Sequence, residues 1–330
     1  MLVLAKVVMA ILLGFSLSVV FGYFVVKIFQ KMQMKQAVSG TLGKRHLEKA
    51  GTPTMGGVIF IIPTLLIIAA LAITGKIEFS TNLFIVLFVF IAYAILGFID
   101  DYLIVKKHNN EGLSIFWKLA LQILIALVFF YIFLSSGNDP VVNIHTLGIK
   151  VNLGFLYGMF LLFVLVATSN AVNITDGLDG LAGGLSAIAF FAFGIITWGA
   201  NWASGNEGVA IFCFVLVGSL VGFLVYNSHP AKIFMGDMGS LALGAALASV
   251  AIITNHELTL VIVALVFVIE TLSVIIQWLA LSKFHTKVFL MTPLHHHFEK
   301  LGWSEVDIVR MFWSIGLVLS MAAIVFGVWI

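Results

Sequence analysis

Five aspartates in three short segments are the residues of this sequence best suited to chemistry. Asp100 and Asp101 are adjacent, Asp176 and Asp179 lie three residues apart, and Asp237 stands close to two glycines. Carboxylates held close together raise one another's pKa, and a divalent cation or an amine beside them reverses that shift. The five are therefore candidates for a catalytic base, a nucleophile or a set of metal ligands.

Each acidic segment also has an ordinary structural explanation. Asp100 and Asp101 end an apolar run and could be a charged helix end at a membrane surface. Asp237 could be an N-terminal helix cap. The occurrence of all three segments beside other polar loops favours one shared site.

The strongest local pattern is NAVNITDGLDG at residues 170–180. It combines Asp176 and Asp179 with the amides of Asn170 and Asn173 and with two Asp-Gly steps. Glycine lets the backbone approach a ligand closely, and Asp and Asn oxygens suit hard cations and ribose or uracil-like edges. A helix end followed by a solvated turn would explain one Asp-Gly step, but two such steps favour a ligand loop.

A second glycine-rich segment runs from Phe234 to Ser240, just before a predicted helix. The amides and the dipole at a helix N-terminus favour phosphate, and Asp237 would hold a metal ion that bridges to that phosphate. Asn227, a few residues upstream, adds an amide near the same face.

Three consecutive histidines, His295, His296 and His297, follow the segment MTPL. Adjacent imidazoles cannot all point one way on a helix, and zinc-binding histidines are usually spaced i, i+4 or spread over loops. The pattern favours recognition of phosphate or substrate over zinc, and a solvated loop is the structural alternative.

Two further polar features have open interpretations. The segment KAGTPTMGG at 49–57 could donate backbone amides to an anion, although it lacks the full P-loop pattern and could be a plain turn. Glu270 lies inside an apolar run, with Gln277 two turns further on. An intramembrane carboxylate is either functional or paired inside a bundle, and the sequence does not separate a functional role from a structural hydrogen bond.

The elements that must position these residues are membrane helices. The chain of 330 residues is 62% hydrophobic and 10% charged, with a mean hydropathy of +1.16, more than a soluble core can bury. Runs long enough to cross about 30 Å of hydrocarbon predict ten helices in an all-α polytopic membrane protein. They lie near residues 7–26, 57–73, 83–99, 115–134, 153–172, 181–199, 208–226, 240–254, 258–281 and 308–329.

The basic residues predict the orientation, because Lys and Arg in short loops are retained on the cytoplasmic side. Fourteen of them, including Lys35, Lys44 and Arg45, lie in or beside one set of gaps, and three lie in the other set. Both termini should therefore be extracytoplasmic, with the first run a retained span, and the candidate residues should line a cytoplasmic cleft. A net charge of +2 without a basic stripe argues against nucleic acid.

The remaining sequence features concern a hairpin, the number of domains and the single cysteine. Residues 138–152 carry a turn signal flanked by short β-prone segments and predict a small extracytoplasmic hairpin. Without a linker or repeat, residues 1–330 are best interpreted as one domain. The single cysteine, Cys213, excludes a disulfide framework.

Taken together, the motifs GTPTMGG, IDDY, NAVNITDGLDGLAGG, IFMGDMGSLALG and MTPLHHHFE extend over nearly the full chain. In this combination the sequence resembles the bacterial phospho-N-acetylmuramoyl-pentapeptide transferases of the polyprenyl-phosphate N-acetylhexosamine-1-phosphate transferase superfamily. The triple histidine is similar to the histidine motif of the muramoyl-pentapeptide branch.

The resemblance implies Mg²⁺-dependent transfer of phospho-MurNAc-pentapeptide from UDP-MurNAc-pentapeptide to undecaprenyl phosphate. The products are lipid I, a peptidoglycan precursor, and UMP. It also implies ten transmembrane helices, a homodimer in the bacterial cell membrane and a cytoplasmic active site.

The resemblance also assigns roles by motif. Asp100 and Asp101 match the pair implied in acceptor deprotonation or nucleophilic attack, and Asp237 matches the Mg²⁺-linked acid, with Asp176 as a further candidate ligand. The nucleoside and catalytic loop is matched by Asn170, Asn173, Asp176 and Asp179, the uracil surroundings by Asn227 and Phe234, and other cleft positions by Lys49, Thr54, Lys118 and Gln277. Family members often have DDYxK, but this chain has Ile104 at the lysine position.

Several alternatives remain open at the level of sequence. The acceptor phosphate could attack directly, or an Asp carboxylate could form a phosphoryl-enzyme first. The same fold could serve a UDP-N-acetylglucosamine phosphotransferase. An ion-coupled transporter is a different class, suggested by Glu270 and ten helices, although the acids cluster at one surface instead of at the midplane.

Overall fold

The computed structural model describes residues 3–32, 49, 51–107, 112–144, 148–200 and 205–329, so Lys35, Lys44 and Arg45 lie outside the described residues. The long helices are α1 (Val3–Lys31), α3 (Thr81–Lys107), α4 (Ile115–Ser135), α5 (Leu156–Thr175), α6 (Leu181–Ala200), α7 (Glu207–Asn227), α8 (Gly236–Ile253), α10 (Leu265–Phe284) and α12 (Glu305–Ile324). The shorter helices are α2 (Val58–Ile73), α9 (Glu257–Val263), α11 (Leu294–Lys300) and a π-helical turn (Val325–Trp329).

The prediction of an all-α polytopic membrane protein is confirmed. Within the described part of the chain, nine helices are long and apolar enough to cross a membrane. The run predicted at 57–73 forms α2, whose 16 residues span roughly 24 Å at 1.5 Å per residue.

The run predicted as one helix at 258–281 needs correction, because it is broken at Ala264 into α9 and α10. The backbone at the break still bonds locally, since the Ala264 amide donates to Leu260 O at 2.7 Å. Neither glycine nor proline marks the position in the sequence. Hydropathy therefore predicts the apolar length here but not the interruption.

The predicted hairpin is also confirmed. Strands β1 (Val141–Ile144) and β2 (Ile149–Asn152) pair antiparallel, with Val142 opposite Val151. Residues 145–147 of the turn lie outside the described residues.

Glycines set how closely several helices pack. A Cβ added to Gly14 of α1 would lie 2.3 Å from the carbonyl oxygen of Val215 in α7, and one added to Gly57 would lie 2.6 Å from Cα of Gly239 in α8. Lipid tails are as apolar as leucine, so membrane helices gain most from such close backbone contact. The contacts fix α7 and α8, whose side chains are largely buried, against their neighbours.

Polar side chains gather at two opposite ends of the bundle. One end, called the acidic face below, is formed by the last residues of α3, α5 and α7 and the first residues of α2, α4, α8 and α12. The other end carries separate pairs, such as Asn82 with Asn206 at 2.7 Å and Tyr157 with Glu257 at 2.6 Å. The five candidate aspartates lie at the acidic face.

Candidate active site

Lys118 of α4 joins two of the three acidic segments. Its ammonium lies 3.1 Å from Oδ2 of Asp100 and also donates to Oδ2 of Asp237. Asn173 of α5 donates through Nδ2 to Oδ1 of Asp237 at 2.7 Å and to Oγ of Ser240 at 2.8 Å. Four helices thus bring two carboxylates, an ammonium and an amide into one hydrogen-bonded cluster.

Asp101 caps the first turn of α8 from the neighbouring helix α3. Its Oδ1 accepts from the amide of Asp237 at 3.1 Å and its Oδ2 from the amide of Met238 at 3.0 Å. The helix N-terminus that the sequence offers to a phosphate is therefore bound by a carboxylate of this chain. Thr54 lies alongside, and its buried hydroxyl has no hydrogen-bond partner among the described residues.

We expect Asp101→Asn to lower the stability of the protein as well as its activity. The Asn amide nitrogen would face an N–H donor, so one charge-assisted bond is lost, which typically costs roughly 1.5–3 kcal/mol. The midpoint of thermal unfolding in detergent measures this, with Asp139→Asn at an exposed position of the opposite end as control. An Asp101→Asn protein with the wild-type midpoint would contradict the capping role.

A second cluster surrounds Asp179. Its Oδ1 accepts from Nζ of Lys49 at 2.7 Å, and its Oδ2 lies 3.1 Å from Nδ1 of His229. Glu305, the first residue of α12, accepts from Lys49 at 2.6 Å and from the Asp179 amide at 2.7 Å. Burial lowers the pKa of Lys49, but the carboxylates of Glu305 and Asp179 raise it above its ordinary value, so the amine stays charged.

Glu305 was not among the residues singled out from the sequence. It follows Ser304, whose side chain accepts a hydrogen bond from the amide of Asp307 in a normal helix cap, and an acid in the first turn of a helix needs no further explanation. The donor atoms of Asp179, His229 and Glu305 lie within 4.8 Å of one another and could hold a metal ion. Lys49 already provides a cation at this place.

The chain is similar to known bacterial proteins over almost its whole length. The family model described as Glycosyl transferase family 4 matches residues 83–255, and the Phospho-N-acetylmuramoyl-pentapeptide-transferase signature 1 matches residues 49–61. Proteins named phospho-N-acetylmuramoyl-pentapeptide-transferase are 44% identical over 324 residues in Geobacillus sp. (strain WCH70), 45% over 324 residues in Geobacillus kaustophilus and 43% over 325 residues in Bacillus subtilis (strain 168). Each alignment covers 98% of both chains.

The chain belongs to the phospho-N-acetylmuramoyl-pentapeptide-transferase family. It is thus a multi-pass membrane protein with bacterial relatives, and the resemblance inferred from its motifs is confirmed. The region that matches the family model contains the Lys118 cluster, and the signature contains Lys49 and Thr54.

Asp176 differs from the other four candidate aspartates of this transferase-family chain. It lies half-buried at the end of α5, and its side chain forms no hydrogen bond with the described residues. Burial, followed by the negative charges of Asp237 and Asp179, raises its pKa to about 7. It therefore offers two free carboxylate oxygens beside the Lys118 cluster.

The raised pKa predicts a pH-dependent effect of Asp176→Asn in the absence of Mg²⁺. As pH rises from about 4 to about 7, an unfolded Asp176 loses its proton while the folded one keeps it, so the stability it contributes is lost over this range. Asn stays neutral. The thermal midpoint of the variant should therefore exceed that of wild type by more at pH 8 than at pH 5, and a difference independent of pH would contradict the raised pKa.

Several predicted substrate-binding amides are bonded to backbone. Asn227 accepts from the Gly180 amide at 3.1 Å and donates to Ile233 O at 3.0 Å, which ties the Asp-Gly loop to the segment before α8. Gln277 accepts from the amides of Val288 and Phe289, at 3.1 and 2.9 Å. These two amides shape the loops of the acidic face.

The remaining predicted residues line the same face. Asn170 donates to the side chain of Gln122 at 3.0 Å, one turn before Asn173. Phe234 is half-buried, and its carbonyl oxygen accepts from the amide of Gly56 at 2.8 Å. The amide of Gly57 donates to the carbonyl oxygen of Met235 at 2.9 Å. The amides of Gly56 and Gly57 are therefore bonded within the protein and are not free for an anion.

The three histidines lie on α11 and point to different partners, as adjacent residues on a helix must. Nδ1 of His296 lies 2.6 Å from Glu299 Oε2, and Nδ1 of His297 accepts from the Leu290 amide at 3.1 Å. His295 turns inward to Glu270 of α10.

Proposed function

We propose that this protein transfers phospho-MurNAc-pentapeptide from UDP-MurNAc-pentapeptide to undecaprenyl phosphate, forming lipid I and releasing UMP. The observation that carries the proposal is the cluster of Asp100, Lys118, Asn173 and Asp237 at one end of a membrane bundle. A water-soluble nucleotide and a lipid phosphate can both reach such a surface. The relatives' names support the choice of substrates.

The residues of the cluster fit a Mg²⁺ ion. Mg²⁺ prefers oxygen ligands and is usually held by one or two carboxylates together with substrate phosphates. Asp237 and Asp176, whose side chain is bonded to none of the described residues, provide such oxygens. The second cluster includes the nitrogen of His229 and is less suited to Mg²⁺. Bound there, the ion would supply charge neutralisation to the diphosphate and to the departing UMP.

In the direct mechanism, Asp100 takes the proton of the lipid phosphate. An oxygen of that phosphate then bonds to the phosphorus attached to the sugar, and the bond from this phosphorus to the bridging oxygen breaks, so that UMP leaves with the electron pair. Lys118, which already neutralises two carboxylates, stabilises the negative oxygens during transfer. In the two-step form, a carboxylate of this group attacks first.

The second cluster and its neighbours are proposed to bind the nucleotide half of the donor. Asp179 and Lys49 hold each other through a short ion pair. Phe234, whose amide donates to the carbonyl oxygen of Pro53 at 2.8 Å, provides a half-buried ring. The protein is further proposed to work as a homodimer in the bacterial cell membrane, with the acidic face toward the cytoplasm.

The release of UMP tests this function. Purified protein in detergent receives undecaprenyl phosphate, Mg²⁺ and either UDP-MurNAc-pentapeptide or UDP-N-acetylglucosamine. We expect UMP only with the pentapeptide donor, and none after Mg²⁺ is chelated. UMP from the other donor would replace the proposed substrate, and no UMP from either donor would reject the transferase function.

A further inference from the structure

Glu270 and His295 form an ion pair or hydrogen-bonded pair in the interior of the protein. Their side chains are 0% and 1% exposed. Oε2 of Glu270 lies 3.1 Å from Nδ1 of His295, and Oε1 accepts from the His295 backbone amide at 3.1 Å. One carboxylate of α10 therefore fixes both the backbone and the ring of the first histidine of α11.

The other ring nitrogen of His295 has no such partner. Its Nε2 is buried and forms no hydrogen bond with the described residues. A Cβ added to Gly177 would lie 2.2 Å from Nε2 and 2.8 Å from Cε1 of His295. The ring edge is thus packed directly on the backbone of the Asp-Gly loop, and only glycine fits at position 177.

We propose that Glu270 and His295 are positioning residues, which hold the loop at 176–180 in its catalytic position through the contact of the His295 ring edge with Gly177. The proposal rests on the proposed function, because it concerns how the loop presents Asp176 and Asp179 to the substrates. It also gives the first histidine a role other than direct substrate recognition.

Both partners of this pair are buried. A buried carboxylate without a partner is strongly unfavourable, so Glu270 keeps the Nδ1 side of the ring in place. With Nδ1 held, the opposite edge always faces Gly177. Because the side chain of Asp176 forms no hydrogen bond with the described residues, packing on the adjacent glycine is a principal restraint on the carboxylate, and a misplacement of about 1 Å can reduce a rate about 10²-fold.

The test is a double-mutant cycle with Gly177→Ala and His295→Asn. The added methyl of Gly177→Ala collides with the ring, so we expect kcat/KM to fall about 10²-fold, chiefly in kcat. Asn retains a nitrogen near the position of Nδ1 to bond Glu270 but lacks Nε2 and Cε1. His295→Asn alone should lower kcat/KM about tenfold. The kcat/KM of the double variant should return to that level instead of falling by the product of the two factors.

Gly183→Ala in α6 is the matched control, because its Cβ would meet only the flexible end of Leu224, at 3.3 Å, and more distant atoms. It should retain activity within about twofold, because a side-chain end can move by the few tenths of an ångström that the methyl group needs. Losses that multiply in the double variant would overturn the proposal.

A second readout separates this proposal from the function on which it rests. The thermal midpoints of the four proteins report the contact between Gly177 and His295 without substrate, so coupling of the midpoints with no UMP release from wild type would reject the function alone. Wild-type UMP release with independent effects on both activity and midpoint would reject the positioning role alone.

Discussion

Asp237→Asn is expected to abolish measurable turnover and to weaken the dependence of residual activity on Mg²⁺. Oδ1 of Asp237 is bonded to Asn173 at 2.7 Å, and Oδ2 to Lys118, so the carboxylate links the amide and the ammonium of the cluster. An Asn has one oxygen and no charge with which to hold a cation. The several kcal/mol that a bound metal can contribute correspond to a loss of roughly 10²–10³-fold or more.

The measurement is the initial rate of UMP release as a function of Mg²⁺ concentration. Asp139→Asn removes a carboxylate from the opposite end of the protein and should leave both the rate and the Mg²⁺ curve unchanged. If Asp237→Asn keeps the wild-type rate, Asp237 has no part in metal binding or catalysis, and the assignment of the cluster as active site is wrong.

Gly97→Ala should be nearly as damaging although it removes no functional group. A Cβ at this position of α3 would lie 2.2 Å from the carbonyl oxygen of Asp237 and 2.5 Å from the amide nitrogen of Met238. These are backbone atoms and cannot rotate away, so α3 and α8 must separate. Asp101, one turn further along α3, would then lose its bonds to the same two residues of α8.

We expect Gly97→Ala to lower kcat/KM by about 10²-fold through misplacement of Asp100 and Asp237, and to destabilise the protein by about 1–3 kcal/mol through overpacking. UMP release and the thermal midpoint measure the two effects. Gly183→Ala, which adds the same methyl group against a movable side-chain end instead of backbone, is again the control. Wild-type behaviour of Gly97→Ala would mean that the helices can separate without cost.

The fold could be predicted from the sequence where hydropathy alone decides it. All ten predicted apolar runs are helical, although one of them forms two helices. The turn signal before Val141 predicted the hairpin. The interruption at Ala264 could not be predicted, because hydropathy is the same on both sides and no glycine or proline stands there. Such a break depends on packing between α9 and its neighbours, which only tertiary structure specifies.

The candidate site could be predicted as a set of residue types, but the partners of those residues could not. Lys118 and Asp237 are 119 residues apart, and Asp179 and Glu305 are 126 apart, so no local spacing links them. The sequence equally does not reveal that Asn227 and Gln277 bond to backbone, because an amide that binds a loop has the same sequence signature as one that binds a base. Glu305 escaped notice for the related reason that its position resembles an ordinary helix start.

The cap that Asp101 supplies to α8 has a consequence for biosynthesis. Asp101 precedes Asp237 by 136 residues, which is roughly 7–27 s of translation at typical rates. Helix α3 is therefore synthesised well before the first amides of α8 emerge. Amides without an acceptor are costly away from water. Because of the chain order, the accepting carboxylate is present before the two donating amides are synthesised. A circular permutation that placed α8 ahead of α3 would keep every contact of the final structure and lose this advantage during membrane insertion.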